Sequence, residues 1–199
     1  MDNIYSTLPK KKYQIIYADP PWKYKGTDGP DNPLVGGAHS HYPTIHIDDL
    51  KALDVGSIAD DDCLLFLWAT GPKLDWAVDV GSAWGFSYVT IGFVWDKVRA
   101  NPGYYTMSQC EICLIFKRGK IPQPRGARNI RQFISMKKAA HSTKPHAVRH
   151  RIESMFPFQT KIELFARGQF EGWDVWGLET ERKLDFVEKE KRQWQSRPM

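Results

Sequence analysis

The residues best suited to chemistry are Asp19, Pro20, Pro21 and Trp22, which follow an apolar run ending at Ala18. The Asp19 carboxylate and the Pro20 carbonyl can each accept one N–H, and the two prolines remove competing N–H donors. Such acceptors favour a tetrahedral nitrogen, which suits an exocyclic amino group like that of adenine. Trp22 offers a flat surface for a base extruded from its stack. All four residues are therefore predicted to be catalytic, and Trp22 also to bind the base.

Strand and helix patterns predict a rigid support for this motif. Residues 12–18 read as a buried strand that places Asp19 at its carboxyl end, which favours a site over a simple strand stop. Residues 23–46 are predicted to form a functional loop, and residues 118–131 a basic one. Further strands are predicted over 62–70, 86–97, 107–117 and 160–166, and helices over 46–59, 74–84 and 145–156. The alternation predicts an α/β fold with a mainly parallel sheet, covered on both faces, that binds ligands at the carboxyl ends of its strands.

The basic charge is concentrated in one part of the chain. The net charge is +5, but residues 117–151 contain eleven Lys and Arg and no Asp or Glu. Such a run predicts a positive face for a polyanion. We therefore predict that Arg125, Arg128 and Arg131 contact the phosphates of a nucleic acid, although a merely solvated surface is the alternative.

Several classes of protein are disfavoured by the sequence. No apolar run approaches the length of a membrane span, and the first residues lack the pattern of a signal peptide, so a cytoplasmic protein is expected. Cys110 and Cys113 have the spacing of half a zinc site, yet in a strand they face opposite sides and no second pair exists. We therefore expect no metal. Trp68, Trp84 and Trp95 are predicted to pack in the core.

A wider resemblance starts from the segment 18–22. Ala-Asp-Pro-Pro-Trp resembles the signature of the MT-A family, which comprises the eukaryotic mRNA adenosine methyltransferases and their bacterial and phage relatives. Similar blocks follow in the same order at 41–44, 65–70, 84–86, 95–97, 144–145, 162–167 and 172–177. The resemblance implies a Rossmann-like methyltransferase fold in permuted order, with the catalytic strand before the cofactor-binding strand. It also implies S-adenosylmethionine as cofactor and the N6 amino group of adenine as acceptor.

The resemblance carries roles to individual residues. Lys144 matches a lysine that pairs with the carboxylate of the cofactor, and Arg167 an arginine near its ribose. Glu163 is expected to have an indirect or ribose-binding role, and Glu179 and Asp19 complete the predicted cofactor site. Tyr42 matches a tyrosine of the loop that closes over the adenine.

Two further positions bear on the predicted site, one from the loop after Trp22 and one from the family comparison. We expect His39 to approach the backbone of the acceptor. Leu178 stands where family members commonly carry an Asn that contacts the adenine of the cofactor, which removes one expected hydrogen bond.

Some alternatives remain open at this level. Residues 1–180 are predicted to form the methyltransferase domain and 181–199 a charged tail with a peripheral helix. DNA is favoured over RNA as acceptor because a compact member without extensions is similar to bacterial and phage forms. The protein can be a monomer or a homodimer. An inactive nucleic-acid-binding subunit of the same fold is disfavoured by the intact motif, and a nuclease by the lack of clustered carboxylates at the expected site.

Overall fold

The computed structural model describes residues 7–23, 44–138 and 143–178. Within them lies one sheet of seven strands in the order β5-β3-β4-β2-β1-β6-β7. The strands are β1 (Tyr13–Ala18), β2 (Ala59–Ala69), β3 (Ser87–Asn101), β4 (Ser108–Arg118), β5 (Phe133–Ser135), β6 (Lys161–Leu164) and β7 (Asp174–Trp176). The predicted α/β, Rossmann-like architecture is confirmed.

The strand directions bring the predicted blocks together. β1 pairs in parallel with both β2 and β6, and β6 pairs in parallel with β7. β4 is antiparallel to β2 and to β3, and β5 is parallel to β3. In the described sheet only β4 therefore runs against the others. The carboxyl ends of β1, β2, β3, β5, β6 and β7 share one edge, which we call the carboxyl edge.

Helices cover both faces of the sheet: α1 (Ile47–Ala52), α2 (Leu74–Ala83) and α3 (His146–Met155). The predicted helix over 46–59 is wrong in extent. Leu53 adopts an extended conformation, and the Asp54 side chain accepts the Ser57 N–H at the start of a 3-10 turn, Val55–Ile58. Pro145 is the N-cap residue directly before α3, one position ahead of the predicted first turn, where the missing proline N–H needs no partner either.

The core consists of two layers, one on each face of β1. Ile16 and Ala18 pack with Leu50 of α1 and Ala77 of α2. The alternate residues Ile15 and Tyr17 pack on the other face, with Val148 and Ile152 of α3. The period of two along β1 thus separates the layers, and α3 covers the face toward which Tyr17 points.

The turn after β6 has an unusual backbone. Phe165 has a φ of 60°, which a residue with a side chain rarely adopts. Its ring packs against Trp176 with 5.4 Å between centroids, and the Ala166 N–H donates to the Trp176 carbonyl at 3.0 Å. A Cβ on Gly177 would lie 2.4 Å from the Ala166 carbonyl oxygen, so the chains approach closely here.

Two elements were not predicted, and some predictions fall outside the described residues. β5 and β7 have three residues each, too few to show a period. The tail from 181 onward, the first six residues and most of the loop at 23–46 lie outside. None of the described helices has the length and apolarity needed to cross a membrane.

Candidate active site

Asp19 lies where three parallel strands end together. Ala18 is in register with Leu67 of β2 and with Leu164 of β6, so Asp19 leaves the sheet between two neighbours at the carboxyl edge. This is the crevice at which open α/β sheets bind ligands. The predicted position of the motif, directly after a buried strand, is confirmed.

Lys144 bridges two carboxylates across β2. Its Nζ donates to Asp19 Oδ1 at 2.7 Å and Oδ2 at 2.8 Å, and lies 3.1 Å from Glu111 Oε2 on β4. It also stands over the Trp68 ring, 5.4 Å from the centroid. Burial lowers the pKa of Lys144, but Asp19 and Glu111 outweigh burial and the net shift is upward. Lys144 is therefore a charged, fixed donor.

A fourth charge continues this arrangement. Lys97 Nζ lies 3.4 Å from Glu111 Oε1. Asp19, Lys144, Glu111 and Lys97 thus alternate in sign, and we call them the charge row. Their side chains are only 18, 12, 13 and 10% exposed, respectively. Burial raises the pKa of Glu111, but the two lysines outweigh burial and leave it below the ordinary value.

Trp22 is part of the core as well as of the motif. It is only 5% exposed, and its Nε1 donates to the Trp68 carbonyl at 3.2 Å. The Trp22 N–H donates to the Pro20 carbonyl at 2.9 Å, and the Pro21 carbonyl accepts the Ile45 N–H at 2.9 Å. Sequence reasoning missed this structural role. The stacking of a base on Trp22 stays a prediction.

Glu163 is held by a residue that sequence reasoning missed. Arg149 of α3 donates from Nε to Glu163 Oε2 at 2.5 Å and from Nη2 to Oε1 at 3.3 Å, and its guanidinium lies 3.4 Å from the centroid of the Phe170 ring. Burial and the Asp19 charge raise the pKa of Glu163, whereas the Arg149 and Arg167 charges lower it. Burial is the largest effect, and the net shift is upward. A carboxylate inside the apolar run 161–166 needs such a partner, and Arg149 shares the buried stripe of α3 through Ile152.

The remaining predicted cofactor residues divide into two groups. Arg167 follows β6 at the carboxyl edge, and its charge lowers the pKa of Glu163. Tyr42, His39 and Glu179 lie outside the described residues, so their roles stay predictions. Leu178 is 44% exposed.

The basic stretch 117–151 does not form one continuous face. Lys144 and Arg149 are buried in ion pairs, and Arg118 Nη1 donates to the Gly56 carbonyl. Three further residues were predicted to bind nucleic acid: Arg128 and Arg131 are exposed, whereas Arg125 is half-buried with its guanidinium 5.4 Å from the centroid of the Phe156 ring.

The loop that carries these arginines is tied to the far end of α3. The Gly126 and Ala127 N–H groups donate to the Met155 and Ser154 carbonyls. The structure therefore places Arg125 away from Asp19, toward the opposite edge of the sheet. The two exposed lysines that follow β5, Lys137 and Lys138, lie at the carboxyl edge instead.

The cysteines and tryptophans behave as their spacing indicates. Cys110 is exposed and Cys113 buried, which confirms that they face opposite sides of β4. Burial raises the pKa of the Cys113 thiol. Three tryptophans predicted to lie in the core are fully buried, namely Trp68, Trp84 and Trp95. Trp68 additionally underlies Lys144.

The charges at Asp19 and Lys144 fit the predicted cofactor. S-adenosylmethionine carries an amino-acid group with an ammonium and a carboxylate, and Asp19 and Lys144 present the complementary charges side by side. The Lys144 Nζ already lies within 3.1 Å of three oxygens, two of Asp19 and one of Glu111. A cofactor carboxylate on Lys144 would therefore replace one of these contacts.

Comparisons with known proteins identify the family of the chain. A family model described as MT-A70 matches residues 13–179. The Type II methyltransferase M.MunI of a Mycoplasma species is 50% identical over 192 residues, which cover 90% of this chain and 82% of that protein. The N(6)-adenosine-methyltransferase MT-A70-like protein of Drosophila melanogaster is 27% identical over 164 residues, covering 78% of this chain and 24% of that protein. The human N(6)-adenosine-methyltransferase catalytic subunit METTL3 is 26% identical, covering 78% of this chain and 26% of its own length.

The chain thus spans most of its bacterial relative but only about a quarter of the two animal proteins. The resemblance of the Asp19–Trp22 segment and of the blocks after it is confirmed, because the family match begins in β1 and ends beyond β7. The chain belongs to the MT-A70 family and is a methyltransferase.

Proposed function

We propose that this enzyme transfers a methyl group from S-adenosylmethionine to the N6 amino group of adenine in DNA. The observation that carries the proposal is the Asp19 carboxylate, fixed at the carboxyl end of β1 by two hydrogen bonds from Lys144. Each carboxylate oxygen has more than one acceptor site, so Asp19 can still accept an N–H from the substrate.

The motif supplies a second acceptor in the backbone. The Pro20 carbonyl accepts one hydrogen bond, from the Trp22 N–H, and retains a further lone pair. Asp19 and Pro20 can therefore accept the two hydrogens of an amino group and favour its tetrahedral form. Because Lys144 and the prolines fix these acceptors beforehand, they need little rearrangement during the reaction.

The cofactor supplies a methyl group on a positively charged sulfur, already activated for transfer. Lys144 would hold the carboxylate of the cofactor. Glu163 in β6 and Arg167 just after it would contact the ribose of the cofactor. Lys144→Ala and Arg167→Ala should each weaken binding of S-adenosylhomocysteine in calorimetry, by about 1.5–3 kcal/mol for a charge-assisted contact. Unchanged affinity in both variants would show that the cofactor binds elsewhere.

DNA is proposed as the acceptor because of how the similarity is distributed. The chain matches the bacterial Type II methyltransferase along nine-tenths of its own length and at about twice the identity of the animal adenosine methyltransferases. RNA is the competing acceptor, and the experiment below separates the two.

The exposed groups at the carboxyl edge suit a nucleic acid approaching Asp19. Lys137 and Lys138 can contact phosphates there. β3 and β4 extend past the end of β2, and their connection carries Tyr104 and Tyr105, which are 77 and 102% exposed. Aromatic side chains of this kind can stack on bases.

A direct test is to incubate the purified protein with radiolabelled S-adenosylmethionine and, separately, single-stranded DNA, duplex DNA and RNA. The products are digested and the methylated nucleoside is identified. We expect N6-methyladenine in DNA. A label found only in RNA would show that RNA, not DNA, accepts the methyl group. A label on an atom other than adenine N6, or no label in any of the three nucleic acids, would contradict the proposed function.

Asp19→Asn tests the acceptor role with little change of shape. The neutral amide keeps the volume but loses the charge that attracts Lys144 and the amino hydrogens, so we expect methyl transfer to fall by about two orders of magnitude or more. Asp174→Asn is a matched control, because Asp174 is also a paired carboxylate but lies at the start of β7. Equal activity of both variants would rule out Asp19 as the hydrogen-bond acceptor for the substrate amino group.

Two sets of basic residues distinguish where the nucleic acid lies. Lys137→Ala with Lys138→Ala should flatten the slope of log affinity against log salt by about two units on duplex DNA. The same measurement on an Arg125, Arg128 and Arg131 triple alanine variant tests the sequence-based prediction. If only the arginine set changes the slope, the acceptor reaches the site from the opposite edge.

A further inference from the structure

The charge row extends beyond the residues that the reaction uses directly. Lys97 is 8% exposed and does not reach the surface to meet a nucleic acid. Its Nζ lies 3.4 Å from Glu111, and Glu111 lies 3.1 Å from Lys144. The ion pair of Lys97 is thus with Glu111, one carboxylate away from Lys144. A buried lysine is costly to desolvate, so its position calls for a physical reason.

The backbone around Lys97 is held in an unusual conformation. Val98, the next residue, has a φ of 66°, which is unfavourable for a β-branched side chain. The pairing of β3 with β4 shifts register between Asp96 and Asn101, as in a bulge that redirects a side chain.

Asp96 stabilises this bulge from three sides. Its Oδ1 accepts the Val98 N–H at 2.8 Å and Gln109 Nε2 at 2.7 Å, and its Oδ2 accepts the Ser135 hydroxyl at 2.8 Å. Three strands thus contribute to the local conformation that follows Lys97. Lys97 alternates with Phe93 and Trp95 on the buried face of β3, and Glu111 pairs with Trp95 on the neighbouring strand.

The charges in the row balance, and Lys97 completes that balance. With Asp19 and Glu111 negative and Lys144 and Lys97 positive, the row is neutral. Without Lys97 it would hold two carboxylates and one ammonium in a largely buried space. Glu111 would then compete more strongly with Asp19 for Lys144, because Lys144 would be the one remaining cation paired with it among the described residues.

We propose that Lys97 is a positioning residue for methyl transfer: through Glu111 it holds the Lys144 ammonium against Asp19. This inference rests on the proposed function, since it takes Asp19 as the group that receives the substrate amino hydrogens. The groups that face Lys144 are Asp19 from β1 and Glu111 and Cys113 from β4. Glu163 faces Asp19 from β6.

The expected effects of Lys97→Met follow from this arrangement. kcat falls by about ten- to a hundredfold, as for a small misplacement of a reacting group. KM for DNA stays unchanged, because Lys97 is buried. The acid limb of the kcat–pH profile moves to higher pH by about half to one unit, because the net negative charge of the row now favours the protonated form of its carboxyl groups. The shift is smaller than that caused by a directly adjacent charge.

Two variants separate charge from packing. Lys97→Arg restores the positive charge, and the double variant Lys97→Met with Glu111→Gln restores neutrality. Both should return the acid limb toward its wild-type position. Lys161→Met is the matched control: Lys161 is 7% exposed, but it donates to the Pro157 and Gln159 carbonyls at the start of β6, far from the row. This control should lose stability without moving the acid limb.

The decisive experiment records the kcat–pH profile of each variant together with nitrogen-15 NMR of the Lys144 ammonium and the titration of Glu111. In Lys97→Met the Lys144 signal should shift and the pKa of Glu111 should rise. An unmoved acid limb, with a lower melting temperature alone, would overturn the inference and leave Lys97 a structural role. If the wild type methylates no adenine N6 in DNA, the proposed function fails. The NMR measurements still decide the inference, because an unchanged Lys144 signal would refute it.

Discussion

Replacing Arg149 by Met should destabilise the protein strongly, and by an amount that depends on pH. The Arg149 and Glu163 side chains are only 6 and 8% exposed. Removing one partner of such a pair leaves an uncompensated buried charge, which costs about 3–5 kcal/mol. Met keeps much of the length and apolar surface of the arginine stem. The loss should therefore report the charge rather than a cavity.

The size of the effect can be expressed as a melting temperature. For a chain of 150–250 residues, 1 kcal/mol corresponds to about 2–4 °C, so we expect a fall of about 6–20 °C. Adding Glu163→Gln removes the orphaned charge as well. The double variant should recover most of the loss, because replacing both members of a buried pair is often close to neutral.

The pH dependence follows from the direction of the pKa shift. In the folded protein the pKa of Glu163 is already raised, mainly by burial, and Arg149 opposes the rise. Without Arg149 the folded-state pKa rises further above the unfolded value of about 4.3. Below that value Glu163 is neutral in both states and the deficit is smallest. The deficit grows as the pH rises through the folded-state pKa.

Urea unfolding followed by circular dichroism at pH 5 and pH 8 measures these free energies. The wild type, Arg149→Met, and the double variant are compared at each pH. A deficit below about 1 kcal/mol at pH 8 would show that the pair is not effectively buried. An equal deficit at both pH values would show that Arg149 acts through packing and not through the Glu163 charge.

Two further predictions concern side chains whose surroundings are well defined. With a thiol reagent, only Cys110 should react quickly in the folded protein. Cys63 and Cys113 are buried, and burial raises the pKa of both thiols. Rapid labelling of two or more thiols would contradict this prediction. Trp22→Phe removes the N–H that the Trp68 carbonyl accepts, so unfolding in urea should show a loss of about 1–3 kcal/mol, and an unchanged stability would mean that this buried hydrogen bond contributes nothing.

Long, regular patterns made the fold largely predictable. The continuous apolar run in β2, and the stripe of Val148 and Ile152 in α3, identify their elements without any tertiary information. β5 and β7 could not be predicted, because strands of three residues have no period and form through pairing with β3 and β6. The break at Leu53 depended on a local cap at Asp54, which a helical reading of 46–59 overlooked.

The site was predictable at its centre and less so around it. The motif and its strand indicate Asp19, and the resemblance indicates Lys144. Glu111 and Lys97 were missed, because nothing in the sequence shows that residues on β3 and β4 face Lys144 across β2. Counting charge along the chain also assigned Arg149 to the surface, although it is buried beside Glu163. Charge in sequence does not reveal which side chains find partners in the interior.

The turn at Phe165 makes one part of the site depend on a distant strand. An aromatic residue at this φ is less favourable than glycine by about 1–2 kcal/mol, and the conformation persists because Trp176 and the Ala166 N–H secure it. The chain reaches Arg167 only two residues later. A substitution that weakens the contact with β7, such as Trp176→Ala, would therefore let the turn relax and let Arg167 change its position. With Arg167 at the ribose of the cofactor, as proposed, such a variant would lose cofactor affinity although the side chains of the Asp19–Trp22 segment are unchanged.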